Sequence, residues 1–178
     1  MSDAVLSQDE LAAVATLWRS GQRELVCRFG GTSMRPAVPP LAEVRLRCGE
    51  GGALGDVIAF LDAGRVIVHR VVALAPNGWL LTRGDARLLP DTPVRAAAQV
   101  LGRVVAVRGD EAFGPVPEAP RSLLRACALA PLVGLMRISP GAGAGVIGAL
   151  HAGRRRALAL ASRLRGALPR LRGRGARP

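Results

Sequence analysis

Residues 57–73 read VIAFLDAGRVIVHRVVA, and they have the pattern of a β-hairpin. Two runs of mainly apolar, often β-branched residues, 57–60 and 65–73, flank the turn residues Asp62-Ala63-Gly64. Short runs of this composition around a turn that contains glycine are typical of two antiparallel strands. We therefore predict a hairpin in the middle of the chain.

The same pattern continues on both sides of this hairpin. Residues 43–48 alternate polar and apolar side chains, as a half-buried strand does, and Asn77-Gly78 is a strong turn signal. Further strands are predicted at residues 25–29, 43–48, 79–82 and 99–107. Residues 25–110 are therefore expected to form a mainly β domain, a small curled sheet or barrel.

Helices are predicted at both ends of the chain. In residues 1–24, Ser7-Gln8-Asp9-Glu10 is a capping box that begins an amphipathic helix ending near Ser20-Gly21. Residues 111–120 are rich in proline and are predicted to be a linker. The rest, 121–178, is an Arg/Ala-rich helical tail. It has an apolar helix over 121–136 broken by Pro131, a Gly/Ala-rich stretch over 139–148 and a basic amphipathic helix over 154–172.

The charge of the chain is concentrated in this tail. The 178 residues carry a net charge of +12, and all 25 basic residues are arginine. Residues 111–178 contain twelve of these arginines and only two acidic residues. A tail of this kind suggests an anionic partner, such as a membrane surface that the helix over 154–172 would contact. The alternative is that this helix packs on its own domain. The tail has no aromatic residues to stack on bases, which argues against nucleic acid.

The termini and cysteines carry weaker signals. Residues 1–10 hold three acidic residues and no basic one, the opposite of a secretory signal, and no apolar run of membrane-spanning length follows. We expect a cytoplasmic or peripherally membrane-associated protein. Cys27, Cys48 and Cys127 form neither a metal-ligand spacing nor a disulfide framework, so we interpret them as small apolar fillers. No metal or cofactor is expected.

A candidate nucleophile lies in Gly30-Gly31-Thr32-Ser33-Met34-Arg35-Pro36. The glycines allow backbone conformations that other residues avoid, and Pro36 disfavours helix at the residue before it. A serine held in such a turn, with its N–H exposed, has what an acyl-transfer nucleophile needs. The heptapeptide alone is more typical of a surface turn than of a catalytic site.

Three more residues have side chains suited to the same chemistry. His69 interrupts a β-branched strand, Asp85 follows Gly84 at the end of the next strand, and Asp91 comes six residues later. Each alone is typical of a structural residue. Together with Ser33 they supply a nucleophile, a general base and a carboxylate that orients the base. Sequence spacing does not show whether Asp85 or Asp91 would take the last role.

The motifs resemble a known peptidase core. Residues 31–36 (GTSMRP), 55–58 (GDVI), 68–72 (VHRVV) and 81–86 (LTRGDA), followed by Asp91, are similar in kind and order to the signal peptidase I and SOS-repressor autopeptidase superfamily. Most bacterial members pair the serine with a lysine. This chain has no lysine and carries His69 at that place, as the endoplasmic-reticulum and archaeal type of signal peptidase does.

The resemblance implies a mainly β peptidase core of the signal-peptidase type and a serine endopeptidase activity on a precursor protein or peptide. Ser33 would be the nucleophile, His69 the base and Asp91 the third member of the triad, while Asp85 would shape the site. The chain also departs from the family. An acidic amphipathic helix takes the place of the usual membrane anchor, Gly31 replaces a serine that assists the oxyanion hole, and Ala86 replaces a common asparagine.

Two alternatives remain from the sequence. The first is a non-catalytic binding module on the same fold. The second is an anion- or nucleic-acid-binding protein that acts through its basic tail. A repressor of the SOS type is not expected, because residues 1–24 are too short for a helix-turn-helix domain.

Overall fold

The computed structural model describes residues 8–21, 23–75, 78–109, 112–118 and 130–167. The helices and strands follow one another along the chain as α1 (Gln8–Ser20), β1 (Glu24–Arg28), β2 (Glu43–Cys48), β3 (Val57–Asp62), β4 (Arg65–Ala75), β5 (Trp79–Arg83), β6 (Val94–Arg95), α2 (Ala96–Gln99), β7 (Val100–Arg108), β8 (Phe113–Pro115), α3 (Ala130–Ile138) and α4 (Pro140–Ala167).

The strands form one antiparallel sheet, so the predicted mainly β fold with flanking helices is confirmed. The strand order is β1-β2-β7-β3-β4-β5-β6, and β8 pairs with β7. The path is open, with β1 and β6 at its ends, and the sheet is therefore not a closed barrel. Irregularities in register between β2 and β7, β3 and β7, and β4 and β5 bend it locally.

The predicted central hairpin is formed by β3 and β4. Their register runs from Val57 opposite Arg70 to Asp62 opposite Arg65. Ala63 and Gly64 in the turn both have positive φ angles, 46° and 73°, a conformation that suits a two-residue hairpin connection. β5 pairs with β4 only from Arg70 onwards. Residues 65–69 therefore have β3 on one side and no described strand on the other.

The main core lies against β1, β2, β3 and β7. Its buried residues include Val44, Leu46, Val57 and Leu101, and the half-buried Trp18 of α1 packs against it. The polar-apolar alternation of residues 43–48 predicted this: β2 has those bounds and buries every second residue. The Ser7 cap lies outside the described residues, while α1 ends at Ser20 as predicted.

The last helix of the tail begins earlier than predicted, because α3 and α4 pack closely together. α4 begins at Pro140 and runs through the Gly/Ala-rich stretch, well before residue 154. A Cβ at Gly143 would lie 2.5 Å from Cγ of Met136 in α3, so glycine lets the two helices approach. Ile147 and Met136 are buried with Val72 and Leu81 of the sheet. This packing offsets the low helix propensity of glycine.

Two other expectations need adjustment. Part of the predicted linker forms β8, where Phe113 lies beneath the guanidinium groups of Arg45 and Arg108 at 4.7 and 5.2 Å. The last long strand starts at Val100, because residue 99 ends the short helix α2. Pro131 lies in the first turn of α3 as described. The predicted helical residues 121–129 and 168–172 lie outside the described parts of the chain, and the break of a helix at Pro131 stays a prediction.

None of the helices in the described residues is long and apolar enough to cross a membrane.

Candidate active site

Ser33 lies in a turn, and the residue that follows it, Met34, is anchored in the core. Met34 is 1% exposed and packs with the main core cluster, and its carbonyl accepts the N–H of Val38 at 3.0 Å. The peptide bond between Arg35 and Pro36 is cis. Ser33 itself is only half-buried. The turn thus fixes the backbone of Ser33 while leaving its hydroxyl at the edge of a cavity.

His69 lies on β4 and meets Ser33 on one side and Asp91 on the other. Its Nε2 is 2.8 Å from Oγ of Ser33, and its Nδ1 is 2.5 Å from Oδ2 of Asp91. A carboxylate accepts but does not donate, so Nδ1 carries the proton and Nε2 presents its lone pair to the serine hydroxyl. This arrangement gives the hydroxyl proton an acceptor.

Asp91 is held in place by Thr82 of β5. The hydroxyl of Thr82 donates to Oδ2 of Asp91 at 2.8 Å, and the N–H of Asp91 donates to the carbonyl of Thr82 at 2.7 Å. Thr82 is fully buried. Its role was not predicted from the sequence. The available signal was a polar side chain directly after three apolar residues of the strand Trp79–Arg83.

Asp85 points to a different partner. Its carboxylate accepts two hydrogen bonds from Arg70, at 3.0 Å from Nε and 2.9 Å from a terminal nitrogen. Arg70 also donates to the carbonyls of Gly55 and Pro117. The side chains of Arg70 and Asp85 are only 3% and 2% exposed. Because Arg70 follows His69 in β4, the two side chains point to opposite faces of the strand.

The turn after β5 links this buried ion pair to the serine. The N–H of Ala86 donates to the carbonyl of Ser33 at 2.8 Å. A Cβ at Gly84 would lie 2.6 Å from that carbonyl oxygen and 2.9 Å from Nε2 of His69. Only a glycine fits there without displacing the serine or the histidine. Asp85, which lies between Gly84 and Ala86 in the chain, holds this turn against Arg70.

The turn at Ser33 offers one backbone donor to an oxyanion. Among the described residues, no acceptor takes the N–H of Ser33. Gly31 contributes no side chain that could donate beside it. The backbone N–H of Ser33 is therefore the donor that this turn offers to a developing negative charge.

A cavity of about 660 Å³ opens beside Ser33 and His69. It lies between residues 27–31, at the end of the edge strand β1, and residues 65–69, the part of β4 that β5 does not cover. Most of its lining is apolar, and three arginines stand among the lining residues. We call this cavity the edge groove. The apolar residues that line it include Phe29, Leu46, Ala59, Val68 and Val104.

Cys27 also lines the edge groove. Burial raises the pKa of its thiol, and the proximity of Cys48 adds to this effect. At neutral pH the thiol stays protonated and is a poor nucleophile. This agrees with the interpretation of Cys27 as an apolar filler. Cys127 lies outside the described residues.

Helix α4 reaches the loop that carries Asp91. Nε2 of His151 is 2.8 Å from the carbonyl oxygen of Pro90 and donates to it. No role was predicted for this second histidine from the sequence. Its contact joins the C-terminal helices to the residue before Asp91, so the first half of α4 packs on the domain.

The structure thus brings Ser33, His69 and Asp91 together and places Asp85 behind β4. In the comparisons with known proteins, no protein-family model matches this chain, and no curated protein sequence matches it.

Proposed function

We propose that this protein is a serine endopeptidase of the signal-peptidase type that cleaves a precursor protein or peptide. The observation that carries the proposal is the continuous contact from Ser33 Oγ to His69 Nε2 and from His69 Nδ1 to Asp91. The order of motifs along an antiparallel sheet supports a core of this type. The mainly apolar edge groove beside the serine supports a peptide as the substrate.

In the proposed reaction, Ser33 Oγ attacks the carbonyl carbon of the scissile peptide bond. His69 takes the hydroxyl proton at Nε2, and Asp91 stabilises the imidazolium that forms. The carbonyl oxygen gains negative charge and faces the N–H of Ser33. His69 then donates its proton to the leaving amine. A water molecule, activated by the same imidazole, hydrolyses the acyl-enzyme and regenerates Ser33.

The substrate would bind as an extended strand. Residues 27–31 and 65–69 present backbone edges on two sides of the edge groove. An extended peptide can hydrogen-bond with such edges, while its alternate side chains enter pockets. By resemblance to signal peptidases, the side chains before the scissile bond would be small. The apolar lining of the edge groove agrees with apolar side chains at those positions.

The proposal is tested by incubating a peptide library with the wild-type protein and with Ser33→Ala, and identifying products by mass spectrometry. We expect one family of cleavage sites with the wild type and none with the variant. A non-catalytic binding module would give no products with either protein. Retained binding of library peptides by Ser33→Ala, with no cleavage by the wild type, would favour that alternative.

A further inference from the structure

The edge groove is bordered by positive charge. Arg28, Arg65 and Arg87 line it, and its lining residues include neither aspartate nor glutamate. Residues 1–110 as a whole are nearly balanced in charge, since they contain 13 arginines, these three included, and 11 acidic residues. The positive charge at the edge groove is therefore a local feature and does not follow from the charged tail.

Arg28 is partly neutralised by a neighbour. Its guanidinium donates to Glu43 at 3.2 Å, and Arg108 donates to the same carboxylate at 2.7 Å. These hydrogen bonds, the one from Arg108 first, lower the pKa of Glu43 and keep it charged. Because the single carboxylate of Glu43 neutralises both Arg28 and Arg108, the guanidinium of Arg28 can still attract another anion.

Arg65 and Arg87 are not neutralised in this way: Asp62 lies opposite Arg65 in the central hairpin but forms no ion pair with it. Both are exposed, and neither forms an ion pair or side-chain hydrogen bond with any of the described residues. Several other arginines of the sheet are paired: Arg47 contacts Glu24, Arg70 contacts Asp85 and Arg103 contacts Glu50. Unpaired guanidinium groups beside an apolar cavity are suited to bind carboxylates of an incoming chain.

The two arginines stand at different distances from the reacting bond. Arg87 belongs to the turn whose Ala86 N–H contacts Ser33, so it lies near the scissile peptide. Arg65 precedes His69 by four residues along β4, which is about 13 Å at roughly 3.3 Å per residue. An extended peptide in the edge groove would therefore meet one arginine close to the scissile bond and the other about four residues away.

We propose that the edge groove selects peptides that carry aspartate or glutamate at these two positions, around an apolar segment, with Arg65 and Arg87 as the residues that determine the specificity. This inference rests on the proposed peptidase function and adds the charge class of its substrate. The apolar lining accepts the segment at the scissile bond, while the arginines attract the acidic flanks and disfavour basic ones.

The test uses three peptides with the same small-residue central segment and with flanking positions occupied by aspartate, asparagine or lysine. We expect kcat/KM to decrease in that order for the wild type. Arg65→Gln and Arg87→Gln should each reduce the aspartate-over-asparagine preference about twofold to fivefold, as expected for one exposed ion pair. Arg155→Gln, an equal charge change at an exposed site on α4 outside the groove lining, should leave the preference unchanged.

Salt provides a second measurement. Exposed charges are screened over about 10 Å at ~0.1 M salt and about 3 Å at ~1 M salt. The preference for aspartate peptides should therefore shrink at the higher concentration, and the asparagine peptide should show little change. A preference that stayed constant with salt would contradict an electrostatic origin.

Binding separates this inference from the peptidase proposal. The same three peptides, labelled with a fluorophore, are titrated with Ser33→Ala and with Ser33→Ala carrying Arg65→Gln and Arg87→Gln. Tighter binding of the aspartate peptide, lost in the triple variant, supports the acidic specificity even if the wild type cleaves nothing. The acidic specificity is overturned if the wild type cleaves all three peptides equally well. It is also overturned if Ser33→Ala binds all three equally or binds none of them. Cleavage by the wild type without a charge preference would still support the peptidase proposal.

Discussion

The imidazole of His69 faces Asp91, with Nδ1 2.5 Å from a carboxylate oxygen, while Asp85 lies against Arg70 on the other face of β4. The two carboxylates are only six residues apart in the chain, and they have different tasks. One orients the proposed base, and the other fixes the backbone that carries Gly84 and Ala86. This division of roles leads to predictions that separate catalysis from stability.

Asp91→Asn should abolish activity and leave the fold intact. The amide permits the wrong imidazole tautomer, and a loss of about 10⁴-fold in kcat is expected from this cause in a serine–histidine site. Asp85→Asn should instead leave Arg70 as a buried unpaired cation and lower the free energy of unfolding by about 3–5 kcal/mol. Urea unfolding and peptide cleavage, measured on both variants, check this. A stable Asp85→Asn protein would contradict the role that we assign to the ion pair.

Thr82→Val should lower kcat more than it changes KM. Valine keeps the shape of the side chain but removes the hydroxyl that donates to Asp91 at 2.8 Å. Hydrogen bonds to charged groups contribute about 1.5–3 kcal/mol, so a loss of roughly tenfold to 100-fold is expected. Steady-state kinetics on the variant measure it. Thr82→Ser, which retains the hydroxyl, should recover most of the activity, and if it does not, the hydrogen bond is not the cause.

Gly84→Ala should inactivate the protein through displacement of Ser33. The added methyl group would lie 2.6 Å from the Ser33 carbonyl oxygen and 2.9 Å from Nε2 of His69. The matched control is Gly114→Ala in β8, where a Cβ meets nothing within 4 Å. The control should keep the activity of the wild type. Equal activities of the two variants would show that the close approach at Gly84 is not required.

Cys27 should react slowly with thiol reagents near neutral pH and faster as the pH rises. Burial raises the pKa of its thiol, so the reactive thiolate is scarce until the pH approaches that raised value. The rate is measured with iodoacetamide in a Cys127→Ser background. Because Cys27 lines the edge groove, its alkylation should block cleavage, and bound peptide should slow the alkylation. Cys27→Ser should remain active after the same treatment.

The arginine-rich part of α4 should bind anionic vesicles. Arg155 and Arg156 are exposed beside Leu158, which is 55% exposed. The protein should sediment with vesicles that contain phosphatidylserine at low salt and stay in the supernatant at high salt. It should not sediment with phosphatidylcholine vesicles. Binding that is the same with both lipids would contradict an electrostatic membrane contact.

The sheet was largely predictable because its signals are local. The alternation in residues 43–48 and the turn at Ala63 and Gly64 fix β2 and the central hairpin with little help from the rest of the chain. The start of α4 was not predictable in this way. Its glycines disfavour a helix, and only contact with α3, through Gly143 and Met136, offsets that tendency. β8 likewise depends on contacts with distant residues, because Phe113 stacks against Arg45 of β2 and Arg108 of β7.

The candidate site was also predictable only where its signals are local. The motifs point to Ser33 and His69, but no spacing along the chain distinguishes Asp91 from Asp85. That distinction comes from the loop after β5, which brings Asp91 back to Thr82 and His69. The roles of Gly84 and His151 depend on approaches between distant segments, and composition carries no signal for either.

The most direct test of the account is kcat/KM for the best library peptide between about pH 5 and pH 9, measured for the wild type and Ser33→Ala. We predict that the wild type cleaves this peptide, because the lone pair on Nε2 of His69 can accept the proton of the Ser33 hydroxyl. We predict that Ser33→Ala is at least about 10⁴-fold slower throughout. Cleavage that survives in Ser33→Ala, or a wild type that cleaves no peptide at any pH, would contradict a serine peptidase built on Ser33 and His69.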